Sequence, residues 1–191
     1  MADLARKVAE GDRASIPPLV QAMSPRVLGI ARRILGPHHS DLEDLVQESL
    51  IAILRAMPAF EHQSSVLHYA GRIAARTCIA SRKRARAIED RRQALALEPA
   101  DKSPPQGMRP AEHTLANRRR EEIRRLIDTL PEEQAETLVL RTVMGYSLKE
   151  VADTMGVPVN TVRSRVRLAK EALRDRVAEL SPELHAWKGD L

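Results

Sequence analysis

The side chains best placed to do chemistry lie over Asn160, Thr161, Arg163, Ser164, Arg165 and Arg167. With Val162 at the centre of a buried stripe and 100° per residue, Asn160, Ser164, Arg167 and Glu171 point away from a core. Thr161 and Arg163 flank them, and Arg165 lies at the edge, within reach of a phosphate or a core carboxylate. Arginine grips guanine O6 and N7 with two hydrogen bonds, and asparagine does the same for adenine. Each such pair discriminates by roughly 1–3 kcal/mol. The chemistry is recognition of base edges rather than bond-making. The plain alternative, a solvated basic helix, has to be weighed against what precedes this segment.

A second cationic run holds Arg72, Arg76, Arg82, Lys83, Arg84 and Arg86, with no acid between the first and the last. An exposed helix usually mixes signs to gain i,i+4 pairs, each worth a few tenths of a kcal/mol. Forgoing them suits a phosphate backbone. A third constellation is acidic: Asp41, Glu43, Asp44 and Glu48. Asp41, Asp44, Leu45 and Glu48 fall on one helical face. A charge at a helix start explains Asp41; acids as far along as Glu48 suit a basic protein partner.

Other reactive residues point nowhere in particular. Cys78 is the single cysteine, which excludes an intrachain disulfide and a multi-cysteine zinc site. It occupies an apolar helical position, where a packed thiol is expected. His38-His39 lacks a third ligand, and neither a glycine-rich phosphate loop nor a nucleophile motif is present. The chain is therefore expected not to be an enzyme and to need no metal, cofactor or small-molecule substrate.

The elements that must carry these residues are helices. Aromatic residues make up only 2% of the 191 residues, too few for a large sandwich or barrel. The expected fold is all-α, with two small helical domains on a flexible proline-rich linker: 1–87, linker 88–113, 114–178, and a short tail 179–191. In the first domain a helix over Leu4–Glu10 stops at Gly11, and another starts at Ser24-Pro25 and ends at Gly36-Pro37. A third opens at Asp41 and closes near Met57-Pro58. A fourth spans Val66 to Arg86, with Ile73, Ala74, Thr77 and Ala80 inward. Four prolines between Glu98 and Pro110 disfavour helix there. In the second domain Ile123, Leu126, Ile127 and Leu130 form one core stripe, and Pro131 starts the next helix with Glu132 and Glu133 in its first turn. Ser147-Leu-Lys-Glu150 is a capping box, Gly156 a stop, and Pro158 the start of the arginine-rich helix. A short capped helix, a glycine turn and a basic helix outline a helix-turn-helix, which favours base reading over simple solvation.

A net charge of +5 and a pI near 9.8 suit a polyanionic partner. No apolar run reaches the ~20 residues that span a bilayer, and the N-terminus lacks a signal-peptide core. The chain is expected to be soluble and cytoplasmic, without membrane insertion.

Taken together these segments resemble the extracytoplasmic-function (group 4) branch of the sigma-70 family. The strongest likeness runs from Leu130-Pro-Glu-Glu-Gln-Ala-Glu-Thr-Leu-Val-Leu-Arg141 through Gly145-Tyr-Ser-Leu-Lys-Glu-Val-Ala152 to Met155-Gly-Val-Pro-Val-Asn-Thr-Val-Arg-Ser-Arg165. It is similar to the family's domain 4, which recognises the −35 element. Asp41-Leu-Glu-Asp-Leu-Val-Gln-Glu48 resembles the domain 2 helix that docks on the clamp helices of polymerase β′. The resemblance implies that Asp41, Asp44, Gln47 and Glu48 contact RNA polymerase core, which the second domain would meet at the β flap. It implies that Phe60 to Arg86 forms the −10 recognition and melting surface, with Tyr69, Arg72, Arg76, Arg82, Lys83 and Arg84 on promoter DNA. An anti-sigma factor is a partner implied by the family alone. The sequence departs from the family where a Phe and a Trp usually precede an Arg-Ile-Ala-Arg-Asn-like run. Over Ser65–Arg76 Tyr69 is the sole Phe, Trp or Tyr, and Arg76 takes the Asn position. Pro158 replaces the usual serine, losing a cap worth ~1 kcal/mol.

The competing reading is a helix-turn-helix regulator that binds DNA alone. Such proteins usually dimerise on palindromic half-sites. No dimer helix stands out beyond residue 178, and the acidic face at Asp41–Glu48 is surplus to that reading.

Overall fold

The computed structural model describes residues 1–61, 64–95 and 115–180. Among them the regular structure is helical, with no strand.

The first region contains α1 (Ala2–Ala9), α2 (Ile16–Leu35), α3 (Leu42–Ala56) and α4 (Val66–Leu95). α1 ends where Gly11 adopts φ 94°, a conformation cheap only for glycine. α2 starts earlier than the Ser24-Pro25 signal suggests and runs straight through Pro25. Leu19 and Met23 before the proline and Val27, Ile30 and Ile34 after it form one buried stripe. An internal proline costs ~3 kcal/mol, whereas each large apolar side chain gains roughly 1.5–3 kcal/mol on burial, so packing overrides the break. Pro17 and Pro18 sit in the first turn, where missing N–H groups cost nothing.

α4 buries Ala70, Gly71, Ala74, Ala75 and Cys78, small residues that let α2 and α3 approach closely. Of the inward residues expected there, Ala74 is buried, while Ile73, Thr77 and Ala80 are half-buried on the flanks of that stripe. The helix also continues past Arg86 to Leu95. Residues 88–95, expected in the linker, are thus helical; 96–113 lie outside the described residues, as does the tail from 181 with Trp187.

The second region contains α5 (Leu115–Asp128), α6 (Glu132–Leu138), a π-type turn over Val139–Val143, α7 (Leu148–Met155) and α8 (Val159–Leu180). Pro131 caps α6, and Glu132 and Glu133 occupy its first turn. Leu130, Leu138, Leu140, Val151, Val162 and Ala169 build the core. The α5 stripe is only partly covered: Leu130 is buried, Leu126 and Ile127 are half-buried, and Ile123 is exposed.

The regions do not stand apart. α4 lies against α6 and α7, and Tyr146, just after the π-type turn, is buried between them beside Gly71 and His68. No helix among the described residues is long and apolar enough to cross a membrane.

Candidate nucleic-acid interface

α7 is built for a sharp start and stop. The Ser147 hydroxyl accepts from Glu150 N at 3.2 Å, while Ser147 N donates to Glu150 Oε2 at 2.7 Å. The Ser147 backbone N–H first, and the Ser147 hydroxyl after it, hold the Glu150 carboxyl below the usual carboxylate range. Gly156 then turns the chain at φ 65°, and Pro158 offers its carbonyl to Thr161 N and Val162 N to open α8.

That turn sets α8 with Val162 and Ala169 fully inward. Asn160, Arg163, Ser164 and Arg167 are exposed, and Thr161 is half-buried. Arg163 Nη1 donates to Asn160 Oδ1 at 3.0 Å, and Arg167 Nη1 donates to both Glu171 carboxylate oxygens at 2.9 and 3.1 Å. An exposed i,i+4 pair is worth roughly 0.3–0.5 kcal/mol. A base contact worth roughly 1–3 kcal/mol can displace it, so these arginines are held ready rather than locked. Arg165 is used differently: half-buried, it pairs with Glu133 at the start of α6. The carboxylate that holds it is a surface one, 69% exposed, rather than the core carboxylate expected.

The acids of α3 are all exposed, and Leu45, expected on one face with Asp41, Asp44 and Glu48, is not. Leu45 turns into the core, while Asp41, Asp44, Gln47 and Glu48 are exposed. Asp41 stands at the N-cap without capping the backbone; its carboxylate accepts from the Ser40 hydroxyl at 2.7 Å. Ile51 is 49% exposed one turn beyond Gln47 and Glu48 and adds an apolar contact to this surface. Sequence reasoning passed over Ile51, though its i+3 spacing from Glu48 was the available signal.

The cationic face of α4 has partners the sequence did not suggest. Arg72 Nε donates to Glu136 Oε1 at 2.8 Å, and its Nη1 to the Thr154 carbonyl at 3.1 Å. Arg76 Nε donates to Glu132 at 2.8 Å. Arg82 grips Asp128 with Nε at 3.1 Å and Nη2 at 2.9 Å, and donates Nη1 to the Ile34 carbonyl. Lys83 donates to the Leu130 carbonyl and Arg86 to that of Arg125. Carboxylates of the second region thus take the place expected for phosphates. Arg84 differs from the other cations of the expected −10 set: it is exposed and its carboxylate neighbour, Glu48 at 3.9 Å, belongs to the first region. Tyr69 is half-buried, its ring 4.8 Å from Phe60 and its hydroxyl donating to the Ala56 carbonyl. Phe60, Tyr69, Arg72, Thr154 and Gly156 line a shallow cavity of about 130 Å³.

Cys78 is buried against Ser49, and burial pushes its thiol up to about 12 despite that hydroxyl. It is a packed core thiol. Among the described residues no three His, Cys, Asp or Glu side chains gather as a metal site.

Comparison with known proteins agrees with this arrangement. Residues 19–88 match the model for sigma-70 region 2, and residues 120–173 match that for sigma-70 region 4. The ECF RNA polymerase sigma factor SigE of Mycolicibacterium smegmatis is 32% identical over 92% of this chain and 67% of its own length. The ECF RNA polymerase sigma-E factor of Salmonella typhimurium is 30% identical over 93% of this chain and 94% of its own. In fold, the chain resembles CnrH, solved with the cytosolic domain of CnrY, at a TM-score of 0.53 and 21% identity over 93% and 97% of the two chains. With regions 2 and 4 in this order and full-length relatives at this identity, the chain belongs to the extracytoplasmic-function RNA polymerase sigma factors of the sigma-70 family.

Proposed function

We propose that this sigma factor reads the −35 element with the outer face of α8, contacts the −10 region with α4, and holds core polymerase through the acidic face of α3. The single observation that carries this reading is the exposure of Asn160, Arg163, Ser164 and Arg167 on a helix whose opposite face is the core. Arg163 and Arg167 are the base or phosphate readers, and Asn160 suits adenine. Arg165 acts as a positioning residue, because Glu133 ties it to α6. Asp41, Asp44, Gln47 and Glu48, extended by Ile51, form a mixed acidic and apolar strip that fits basic helices such as the polymerase β′ clamp, while the second region meets the β flap. Arg84, the most exposed cation of the α4 set, makes the first phosphate contact.

In this role the chain is not an enzyme. It places the polymerase and stabilises an opened strand, whose unpairing costs a few kcal/mol. Work on the chromosome places it in the cytoplasm. An anti-sigma factor is a further partner in this proposal; the fold neighbour CnrH was itself solved in complex with another chain, the cytosolic domain of CnrY.

The test separates the two surfaces. Arg163→Ala or Arg167→Ala should weaken promoter footprints by the polymerase–sigma complex about 5- to 150-fold, with core association unchanged. Asp44→Lys should abolish co-elution with core polymerase and leave DNA contacts by the second region intact. Equal loss in both assays for all three variants contradicts the division of labour.

A further inference from the structure

We infer that two copies of this chain pair in the free state through adjacent ridges of α3 and α4, the acidic ridge of each copy lying on the basic and apolar ridge of the other, and that this pairing occludes the surface reserved for core polymerase. The occlusion rests on the reading of α3 as the polymerase face; the pairing rests on the two ridges alone.

The family match over the first region ends at residue 88, yet α4 runs on as a helix to Leu95. With Arg84 as origin and 100° per residue, Ile88, Arg91 and Leu95 all fall within about 40° of it. All four are exposed. Glu89 and Asp90, the acids of this stretch, lie elsewhere on the helix: Asp90 pairs with Arg86 at 3.8 Å, on the side from which Arg86 reaches the Arg125 carbonyl. The ridge therefore faces away from the second region and mixes cations with aliphatic side chains.

A single exposed aliphatic side chain needs no explanation, but these are grouped. Of the six large apolar side chains exposed among the described residues, three lie here: Ile51 at 49% on α3, and Ile88 at 69% and Leu95 at 76% on α4. The two helices are antiparallel neighbours, since the Tyr69 hydroxyl meets the Ala56 carbonyl and Arg84 stands 3.9 Å from Glu48. The basic ridge of α4 consequently runs alongside the acidic ridge of α3, where Asp41, Asp44 and Glu48 are exposed at i, i+3 and i+7.

Two neighbouring ridges of opposite charge on one face are self-complementary. A two-fold axis running between them lays each acidic ridge on the basic ridge of the other copy, so every contact is made twice. Asp44 and Glu48 of one copy then face Arg84 and Arg91 of the other, and Ile51, Ile88 and Leu95 leave water together. An apolar centre within a charged rim is the make-up of protein interfaces. A duplex would satisfy the arginines and leave the aliphatic side chains without a contact; a second copy satisfies both.

Sedimentation velocity of the full chain across the micromolar range should show single chains giving way to pairs as concentration rises, with the transition moved to higher concentration by added salt. Arg91→Glu and Ile88→Glu, both at exposed positions, should each raise the dimer dissociation constant about tenfold, because a substitution acts twice in a symmetric pair. Asp44→Lys should do the same, and combining it with Arg91→Glu should restore pairing by exchanging the charges. Circular dichroism checks helix content. Core polymerase added to the natural chain should convert pairs into complexes holding one chain each. Arg91→Glu should bind core undiminished, whereas Asp44→Lys and the charge-exchanged double variant should not bind it. Chains that stay single at every concentration, pairs untouched by Arg91→Glu and Ile88→Glu, or a double variant no better than Asp44→Lys alone each overturn the pairing and leave the α3 reading as it stands. Loss of core binding in Arg91→Glu gives the α4 ridge to polymerase and overturns the inference. Two chains retained on one polymerase overturn the occlusion, and core binding kept by Asp44→Lys removes the α3 reading and the occlusion with it.

Discussion

At the scale of single residues, exposure sorts the cations into three uses. Arg163 and Arg167 carry only weak neighbours on their own helix, Arg165 is tied to Glu133, and Arg82 is sunk in a bidentate grip on Asp128. The exposure of Arg163 and Arg167 was legible in the sequence, because 100° per residue from Val162 suffices to find an outer face. The others were not, because Glu136 lies 64 residues from Arg72 and Asp128 lies 46 from Arg82, and charge runs along one helix carry no record of such partners. Cys78 was legible as a core thiol, and it gives a prediction with a definite sign. Its thiol is raised from 9.0 to about 12, so the neutral form is favoured in the fold. That contribution is complete below pH 9 and is lost as pH climbs towards 12. The urea midpoint should therefore fall over this window more steeply in the natural chain than in Cys78→Ala, and maleimide should modify the native thiol far more slowly than the unfolded one. Rapid native labelling would contradict the packed site.

At the scale of elements, local signals held where they concerned helix ends and failed where packing outvoted them. Ser147 with Glu150, Gly156 and Pro131 each mark the ends they appear to mark. Pro25 does not, because a continuous buried stripe on both sides outweighs its missing hydrogen bond. The inward face of α4 was misplaced by one residue, since Ile73 draws the eye while the close helix contact is made by Ala70, Ala74 and Cys78. The capping box sets where α7 stops being a turn and so aims α8. Ser147→Ala should lower stability by ~1 kcal/mol in urea titration at pH 7. Glu150, held below the usual carboxylate range, contributes above that range and loses its contribution as pH falls through its lowered value. Acid titration of the alanine variant should therefore show a weaker decline than the natural chain. An unchanged urea midpoint at pH 7 would mean that α7 is held by packing alone.

At the scale of the whole molecule, the two-region plan was legible from the proline-rich interruption and the helix-turn-helix pattern, and the docking of one region on the other was not. Docking depends on Tyr146 finding the bare backbone of Gly71, a complementarity of shape between residues 75 positions apart that no periodicity encodes. The proposed division of labour gives one initiation factor two separable surfaces, the outer face of α8 for promoter DNA and the exposed strip of α3 for polymerase. The most direct test is transcription by core polymerase and the purified chain on a fragmented genomic template, with the 5′ ends of transcripts mapped. The account predicts a limited set of start sites sharing two upstream elements at fixed spacing, lost with Asp44→Lys and weakened or shifted in sequence with Arg167→Ala. Start sites identical to those of core enzyme alone, or unchanged by either substitution, would contradict it.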